Sequence, residues 1–263
     1  MKTAVFSVYY KEARVHMDRF LTTIANQTDQ DFDLVILNDS DEDIDELENA
    51  IVLNKRLSIA KNREFGINWI KSNGYEALIF LDIDDTMSKD RVSIAKSHLE
   101  VNDIFVNQLK YKKKSLFFSN SYNLDNYNFC GFSNSAIRVD KIDKVELFDD
   151  LVAVDWYFFS YLENLGKSIE FNISTNSYYN IHESNIAGLQ RDIKKAINVK
   201  AKHYKYLSKS FIKFKEYSDF FNMLIKDDDL LRDYIKNVEK TIYKRFYWWQ
   251  EAPYMKDFCA DNR

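Results

Sequence analysis

The chain has 263 residues, 46% of them hydrophobic, a formal net charge of −4 and a sequence pI near 5.7. That length builds one α/β domain with an appendage or two small domains, and the acidic balance excludes a chain-wide electrostatic nucleic-acid binder. Cys130 and Cys259 lie far apart with no metal-ligand spacing, which argues against a zinc or disulfide framework and suits a reducing compartment. No apolar run approaches the ~20 residues of a transmembrane helix. The first residues meet charge at Lys11 and Glu12, too early for a secretory leader. A cytoplasmic protein is expected.

In chain order, Thr3–Tyr9 is a β-rich apolar run that reads as a buried first strand. Met17, Phe20, Leu21 and Ile24 recur at helical spacing and predict a helix from about Val15 to Asn26. Asp33–Asp39, "DLVILND", is a second strand ending in acid. Ile59, Arg63, Ile67 and Ile70 fit another helix with Gly74 as its C-terminal stop, and Ala77–Leu81 is the next strand. This β-α-β-α-β order predicts a largely parallel sheet whose ligands gather at the carboxyl ends of its strands. Asp39 and the cluster Asp82, Asp84 and Asp85 both fall at such ends.

Further on, "KKKSLFFSNSYNL" and "FCGFSNSAIRVDKI" read as strands with intervening loops. "LVAVDWYFFSYLENLGK" reads as an amphipathic helix stopped by Gly166, and Ser168–Ile173 as a short strand before a polar loop carrying His182. His16, His98 and His203 fall where helix surfaces are expected. From about Leu189 the texture turns basic and helical, ending in the aromatic-rich "YKRFYWWQEAPYMKDF". The division expected is therefore a domain over 1–188 and a helical, basic and aromatic extension over 189–263.

The chemistry concentrates in "ALIFLDIDDTMSK", an apolar strand ending in three carboxylates and a threonine. Strand alternation would put Asp82 and Asp84 on one face with Asp85 at the turn beyond. Asp82, Asp84 and Thr86 resemble the nucleophile motif of haloacid-dehalogenase phosphatases, with Ser119 as a second-motif hydroxyl and Asp149 and Asp150 as the last acidic pair. In that family the nucleophile strand opens the core; here two strand–helix units precede it.

A second resemblance accounts for those earlier residues. "AVFSVYYKEARVHMDRFLTTIANQTDQDFDLVILNDS" is similar to the opening of family 2 GT-A glycosyltransferases, with Asn38-Asp39 where that family usually has Asp-Asp. "IAKNREFGI" resembles the family's Arg-containing helix, "IFLDIDDTM" its acidic metal motif, and "FCGFSNSAIRVDKI" its acceptor-side strand. "ELFDDLVAVDWYFFSYLENLG" resembles the helix bearing its catalytic base, and "YNIHESN" its late histidine loop. The ordered set covers about residues 3 to 186. It implies an α/β GT-A fold, a Rossmann-like mixed sheet flanked by helices, with a C-terminal helical extension. It also implies inverting sugar transfer from a UDP-sugar to a glycan or lipid-linked saccharide in bacterial surface polysaccharide synthesis. The remaining alternative is a GT-A domain that binds nucleotide or glycan without turnover.

The resemblance assigns roles residue by residue. Ser7 and Tyr9 would form the wall against which uracil stacks and hydrogen-bonds, Asp39 would accept the uracil N–H, Arg63 would reach the base or a phosphate, and Asp82 would lie near the ribose. Asp84 and Asp85, with His182, would hold Mn²⁺ or Mg²⁺, which shields a departing diphosphate as a Lewis acid. Asp155 would be the base that takes the acceptor proton, with Asp149, Asp150 and Glu163 as competing carboxylates. Taken alone, Tyr9 also reads as a core tyrosine, Asp39 as a turn or cap residue, Arg63 as a surface charge, and Trp156 as either a sugar-stacking or a core residue. The basic extension reads as a solvated helix face, an oligomer contact, or a peripheral dock on the inner face of the cell membrane.

Overall fold

The structure, a computed structural model, describes residues 1–44, 47, 49–111, 114–115, 123–180 and 192–240. His182, Ser119, the aromatic terminus and most of "KKKSLFFSNSYNL" lie outside the described residues. Two compact units emerge: Met1–Ser121, Cys130–Asp149 and Leu165–Asn185 form one, and Tyr122–Phe129, Asp150–Asn164 and Ile186–Arg263 the other. The second unit thus gathers the segment bearing Asp155 together with the C-terminal helices.

The first unit is built on strands β1 (Thr3–Tyr9), β2 (Asp33–Asn38), β3 (Ala50–Asn54), β4 (Ala77–Phe80), β5 (Thr86–Met87), β6 (Ile104–Tyr111), β7 (Lys114–Ser115), β8 (Ser135–Arg138) and β9 (Ile169–Tyr178). They form one nine-stranded sheet ordered β3-β2-β1-β4-β8-β6-β9-β5, with β7 beside β6. Strands β3, β2, β1 and β4 run parallel. The helices α1 (Met17–Ala25) and α2 (Ile59–Ser72) lie within the connections that return the chain for parallel pairing. β8 runs antiparallel to both β4 and β6, which makes the sheet mixed.

Alternation along β1 allots its two faces. Val5 and Tyr9 join a buried cluster with Phe20 and Ile24 of α1 and with Val92, Ala95 and Leu99 of α3 (Arg91–Leu99). Phe6 meets α2, where a Cβ on Gly66 would fall 2.0 Å from the Phe6 ring, so only glycine lets helix and strand approach this closely. Ser58 caps α2 by accepting from the Lys61 N–H, and Gly74, at φ +75°, follows its end as the sequence suggests. His98 of α3, expected on a helix surface, is partly exposed and also meets β9 side chains. Its Nδ1 is 2.7 Å from Glu170 and its Nε2 2.9 Å from Asn172.

The second unit is helical: α4 (Val154–Asn164), α5 (Ile193–Ser210), α6 (Lys215–Lys226) and α7 (Asp228–Lys240). Trp156 of α4 is fully buried, donates from Nε1 to the Leu124 carbonyl at 2.7 Å, and stacks on the His203 ring at 3.9 Å. It is a packing residue. His203 is only 1% exposed, which corrects the expectation of a helix-surface histidine. The physical reason is the side α5 presents to α4: Ile197, Lys200, His203, Tyr204 and Leu207 share the buried stripe, with the Lys200 ammonium 4.6 Å above the Trp156 ring.

Burial, then the nearby Lys200 charge, hold the His203 imidazole well below its ordinary value. A base whose folded pKa is depressed takes up a proton on unfolding once the pH falls below its unfolded pKa of about 6.5. The stability of this unit should therefore be undiminished by His203 above that pH and decline as the pH drops beneath it. His203→Phe should flatten that acid limb in urea-unfolding curves recorded between pH 7 and 5; an unchanged slope would show that His203 is not what the acid acts on.

Candidate active site

The site begins with the ends of parallel strands. β2 and β4 both pair with β1, so the residues that follow them emerge on either side of its tip. The Asp39 N–H bonds to the Tyr9 carbonyl at 2.8 Å and the Leu81 N–H to the Phe6 carbonyl at 3.1 Å. The acidic motif itself differs from the expected alternation. β4 stops at Phe80, and residues 82–85 form a turn closed by the Asp85 N–H on the Asp82 carbonyl at 3.0 Å. Ile83, 1% exposed, anchors the turn in the core beside Met87 and Leu81.

The three carboxylates have different surroundings. Asp82 is engaged by protein donors: Arg63 pairs with its Oδ1, and the Ser133 hydroxyl donates to its Oδ2 at 3.1 Å. Arg63, expected to reach a ligand, reaches this carboxylate, its guanidinium lying 4.7 Å over the Phe132 ring. Asp84 is 7% exposed, and its backbone carbonyl accepts from Arg19 of α1 at 2.5 Å. Asp85 is fully enclosed. Its Oδ1 accepts the Asn180 N–H at 2.7 Å, while its buried Oδ2 has no hydrogen-bond partner. Burial, then Asp84 and Asp82, push the Asp85 carboxyl well above the usual carboxylate range.

Several residues at this site carried no signal in the sequence. Arg91 is entirely buried and donates to the Phe80 carbonyl at 2.8 Å, the Asn107 side chain at 2.7 Å and the Ser135 carbonyl at 3.1 Å. Burial lowers its pKa to about 9, against the field of Asp85 and Asp82, which favours its charge. Tyr10 also faces the cluster: burial, then Asp84, Asp82 and Asp85, push its phenol far above the ordinary value. An apolar-to-acid boundary in sequence identifies carboxylates at a strand end; nothing local says which arginine or tyrosine folds back onto them.

Ser7 and Tyr9, the residues expected to bound a nucleotide base, are both buried. Ser7 is fully buried with its Oγ unbonded, and Tyr9 is 1% exposed, its hydroxyl donating to Glu42 at 2.5 Å. Both side chains point from β1 toward the α1 side of the sheet, where Tyr9 joins the core packed on α1. A cavity of about 400 Å³ opens beside the Tyr9 hydroxyl, lined also by Arg14, Met17, Asp18, Glu42 and Ile44; the carboxylate turn does not line it. The Asp39 Oδ1 accepts the Leu57 N–H at 3.2 Å. Asp155 lies in the first turn of α4, its Oδ1 accepting the Trp156 N–H at 2.7 Å. Of the competing carboxylates, Asp149 accepts from Ser58 at 2.5 Å, Asp150 from Tyr206, and Glu163 is raised chiefly by burial.

Among the described residues no three His, Cys, Asp or Glu side chains gather as a cage for a metal. Two carboxylates suffice for an ion that keeps waters and substrate phosphates as its other ligands. Asp84 and the unbonded Oδ2 of Asp85 fit that requirement, whereas Asp82, held by Arg63 and Ser133, does not.

No known family model matches the chain, and no curated protein does. TarS from S. aureus, residues 1–349 in complex with UDP-GlcNAc, superposes with a TM-score of 0.60 at 14% identity, over 84% of this chain and 71% of that one. The mannosyltransferase PcManGT from Pyrobaculum calidifontis, in complex with GDP-Man and Mn²⁺, gives 0.55 at 11% identity, over 79% and 64%. GalNAc-T7 with UDP, GalNAc and Mn²⁺ gives 0.55 at 11% identity, over 83% and 54%. The chain has the GT-A glycosyltransferase fold. In that fold the acidic strand β4 follows two strand–helix units, unlike the phosphatase reading, in which the nucleophile strand opens the core.

Replacing Arg91 by Leu would orphan buried acceptors at about 1–3 kcal/mol each and strip the cluster of its buried cation. Chemical denaturation of Arg91→Leu should show a loss of at least about 3 kcal/mol, most of it summed over those acceptors. A variant as stable as the parent would mean that the buried guanidinium contributes no net support.

Proposed function

We propose that the chain is a metal-dependent, inverting glycosyltransferase that moves a sugar from a UDP-sugar to a glycan or lipid-linked saccharide in bacterial surface polysaccharide synthesis. The observation that carries this reading is the pair Asp84 and Asp85, set in a buried turn at the carboxyl end of β4, with one oxygen of Asp85 left without a protein donor. Ligands of parallel sheets gather at the carboxyl ends of their strands, and the neighbours' bound UDP-GlcNAc, UDP and GDP-Man support the same substrate class.

In this reading Asp84 and Asp85 hold Mn²⁺ or Mg²⁺, with His182 as a third ligand. The ion supplies electrostatic stabilisation of the charge that grows on a departing diphosphate. Asp82, oriented by Arg63 and Ser133, faces the ribose. Asp39 accepts the uracil N3–H, a group cytosine lacks, and so favours uridine. Ser7 and Tyr9 bound the base once the Glu42 contact yields. Asp155 takes the proton of the acceptor hydroxyl as that oxygen bonds to the anomeric carbon and the bond from that carbon to UDP breaks, which inverts the centre.

UDP added with Mn²⁺ should raise the melting temperature, by about 2.7 kcal/mol of stabilisation at one hundred times Kd, and UDP without a divalent ion should do far less. Asp84→Asn should abolish that metal-dependent shift. Asp155→Asn should cut transfer from a UDP-sugar by roughly 10²–10⁴-fold, the usual share of a general base, while leaving the UDP-induced shift intact. A shift lost in Asp155→Asn would assign the residue to binding, and no shift with any nucleotide would end the reading.

A further inference from the structure

Residues 193–215 contain lysines and no Asp or Glu, within a chain whose net charge is −4. On α5 the lysines are sorted by face. At about 100° per residue, Lys194, Lys195, Lys202, Lys205 and Lys209 fall in one stripe about 100° wide, shared with Asn198. The stripe runs some 22 Å along the helix at ~1.5 Å per residue. The opposite side holds the buried set that packs on α4, including Ile193, Ile197, Tyr204 and Leu207. Lys194, Lys195, Lys205 and Lys209 are exposed and Lys202 partly so. Just beyond the helix end Ile212 is 81% exposed, followed by the exposed Lys213 and Lys215.

Asp150 receives the Tyr206 hydroxyl and lies in the field of Lys202 and Lys205, while Asp125 pairs with Lys213 and Asp219 with Lys215.

We propose that this face of α5, with Ile212 at its tip, docks the protein on an anionic membrane surface. The chemistry favours a bilayer over other polyanions. The cations are lysines, point charges without the planar fork that grips individual phosphates or bases. They lie along one helix face rather than lining a cleft. The aromatic ring among them, Tyr206, is buried and covered by the Lys205 and Lys209 side chains at 5.0 and 4.6 Å, so it offers no platform for stacking a base. A lone exposed isoleucine beside lysines matches what an interface of headgroups over hydrocarbon accepts: charge at headgroup level and one apolar side chain beneath it. The surface is independent of the proposed catalytic reading and stands or falls separately.

The test is co-sedimentation of the full chain with phosphatidylcholine vesicles, with or without about one third phosphatidylglycerol, over a range of salt. Binding should require the anionic lipid and weaken as salt rises. Each lysine near such a surface contributes roughly five-fold, so Lys194→Glu, Lys205→Glu and Lys209→Glu combined should weaken binding by at least about a hundred-fold. The melting temperature and the UDP-induced shift should not change. Ile212→Ser should reduce the binding that survives at high salt. Equal pelleting with neutral vesicles, undiminished binding by the triple variant, or displacement from vesicles by single-stranded RNA at equal charge concentration would overturn the proposal.

Discussion

Three carboxylates within four residues repel one another, and the turn that holds them is largely shut off from water. Their mutual repulsion and their burial both disfavour charge, most of all at the enclosed Asp85. The structure meets this with Arg91, a guanidinium sunk beneath the cluster and satisfied by neutral acceptors from β4, β6 and β8. Asp85 and Asp82 in turn favour the charge of Arg91 without either joining it in a contact pair, and the same hydrogen bonds tie three neighbouring strands together just below the turn. Fold and site are therefore one construction: the strand order that puts β8 between β4 and β6 also builds the socket for the charge.

Once the repulsion is contained, the three acids divide their labour by partner. Asp82 is claimed by Arg63 of α2 and by Ser133, so its orientation is set from two separate segments. Asp84 is steadied through its carbonyl by Arg19 of α1. Asp85 receives one N–H, from Asn180 just past β9, and keeps an oxygen unspent. Elements from both sequence halves of the first unit thus meet at one turn. Such mutual support is what a pre-organised electrostatic site requires, because donors already in place need no rearrangement when charge develops.

The second unit follows a different logic. Its interior is aromatic: Trp156 stacks on His203, His203 meets Tyr204 edge-on, and Tyr204 stacks on Phe221. Lys200 is drawn in over the Trp156 face, where the ring's negative quadrupole offsets part of the cost of burying an ammonium. The remaining α5 lysines lie mainly on the outer face, leaving a helix that is apolar and aromatic within and cationic without.

The sequence alone determined the first strand, the first two helices, the strands ending near Asp39 and Asp82, and the position of the acidic cluster at a strand end. Those features are local: apolar period, capping residues, and the abrupt change from "ALIFL" to acid. It missed β3, β5, β6 and α3. β3 and β5 are five and two residues long, and α3 has a polar-interrupted pattern in which Arg91 is itself one of the buried positions. It also cast His203 as a surface residue, because a histidine among lysines reads as polar until a tryptophan from another helix is laid across it.

What only the tertiary structure decided was partnership: that Arg63 holds Asp82, that Arg91 lies under the cluster, that Tyr9 is sealed by Glu42. Those contacts join residues 19, 11 and 33 positions apart in the chain, from Phe80 to Arg91 in the second case. Hydrophobic periodicity fixes which face of an element is buried, but a charged side chain's partner is set by which elements the sheet order brings side by side, and that order is not written in any one segment.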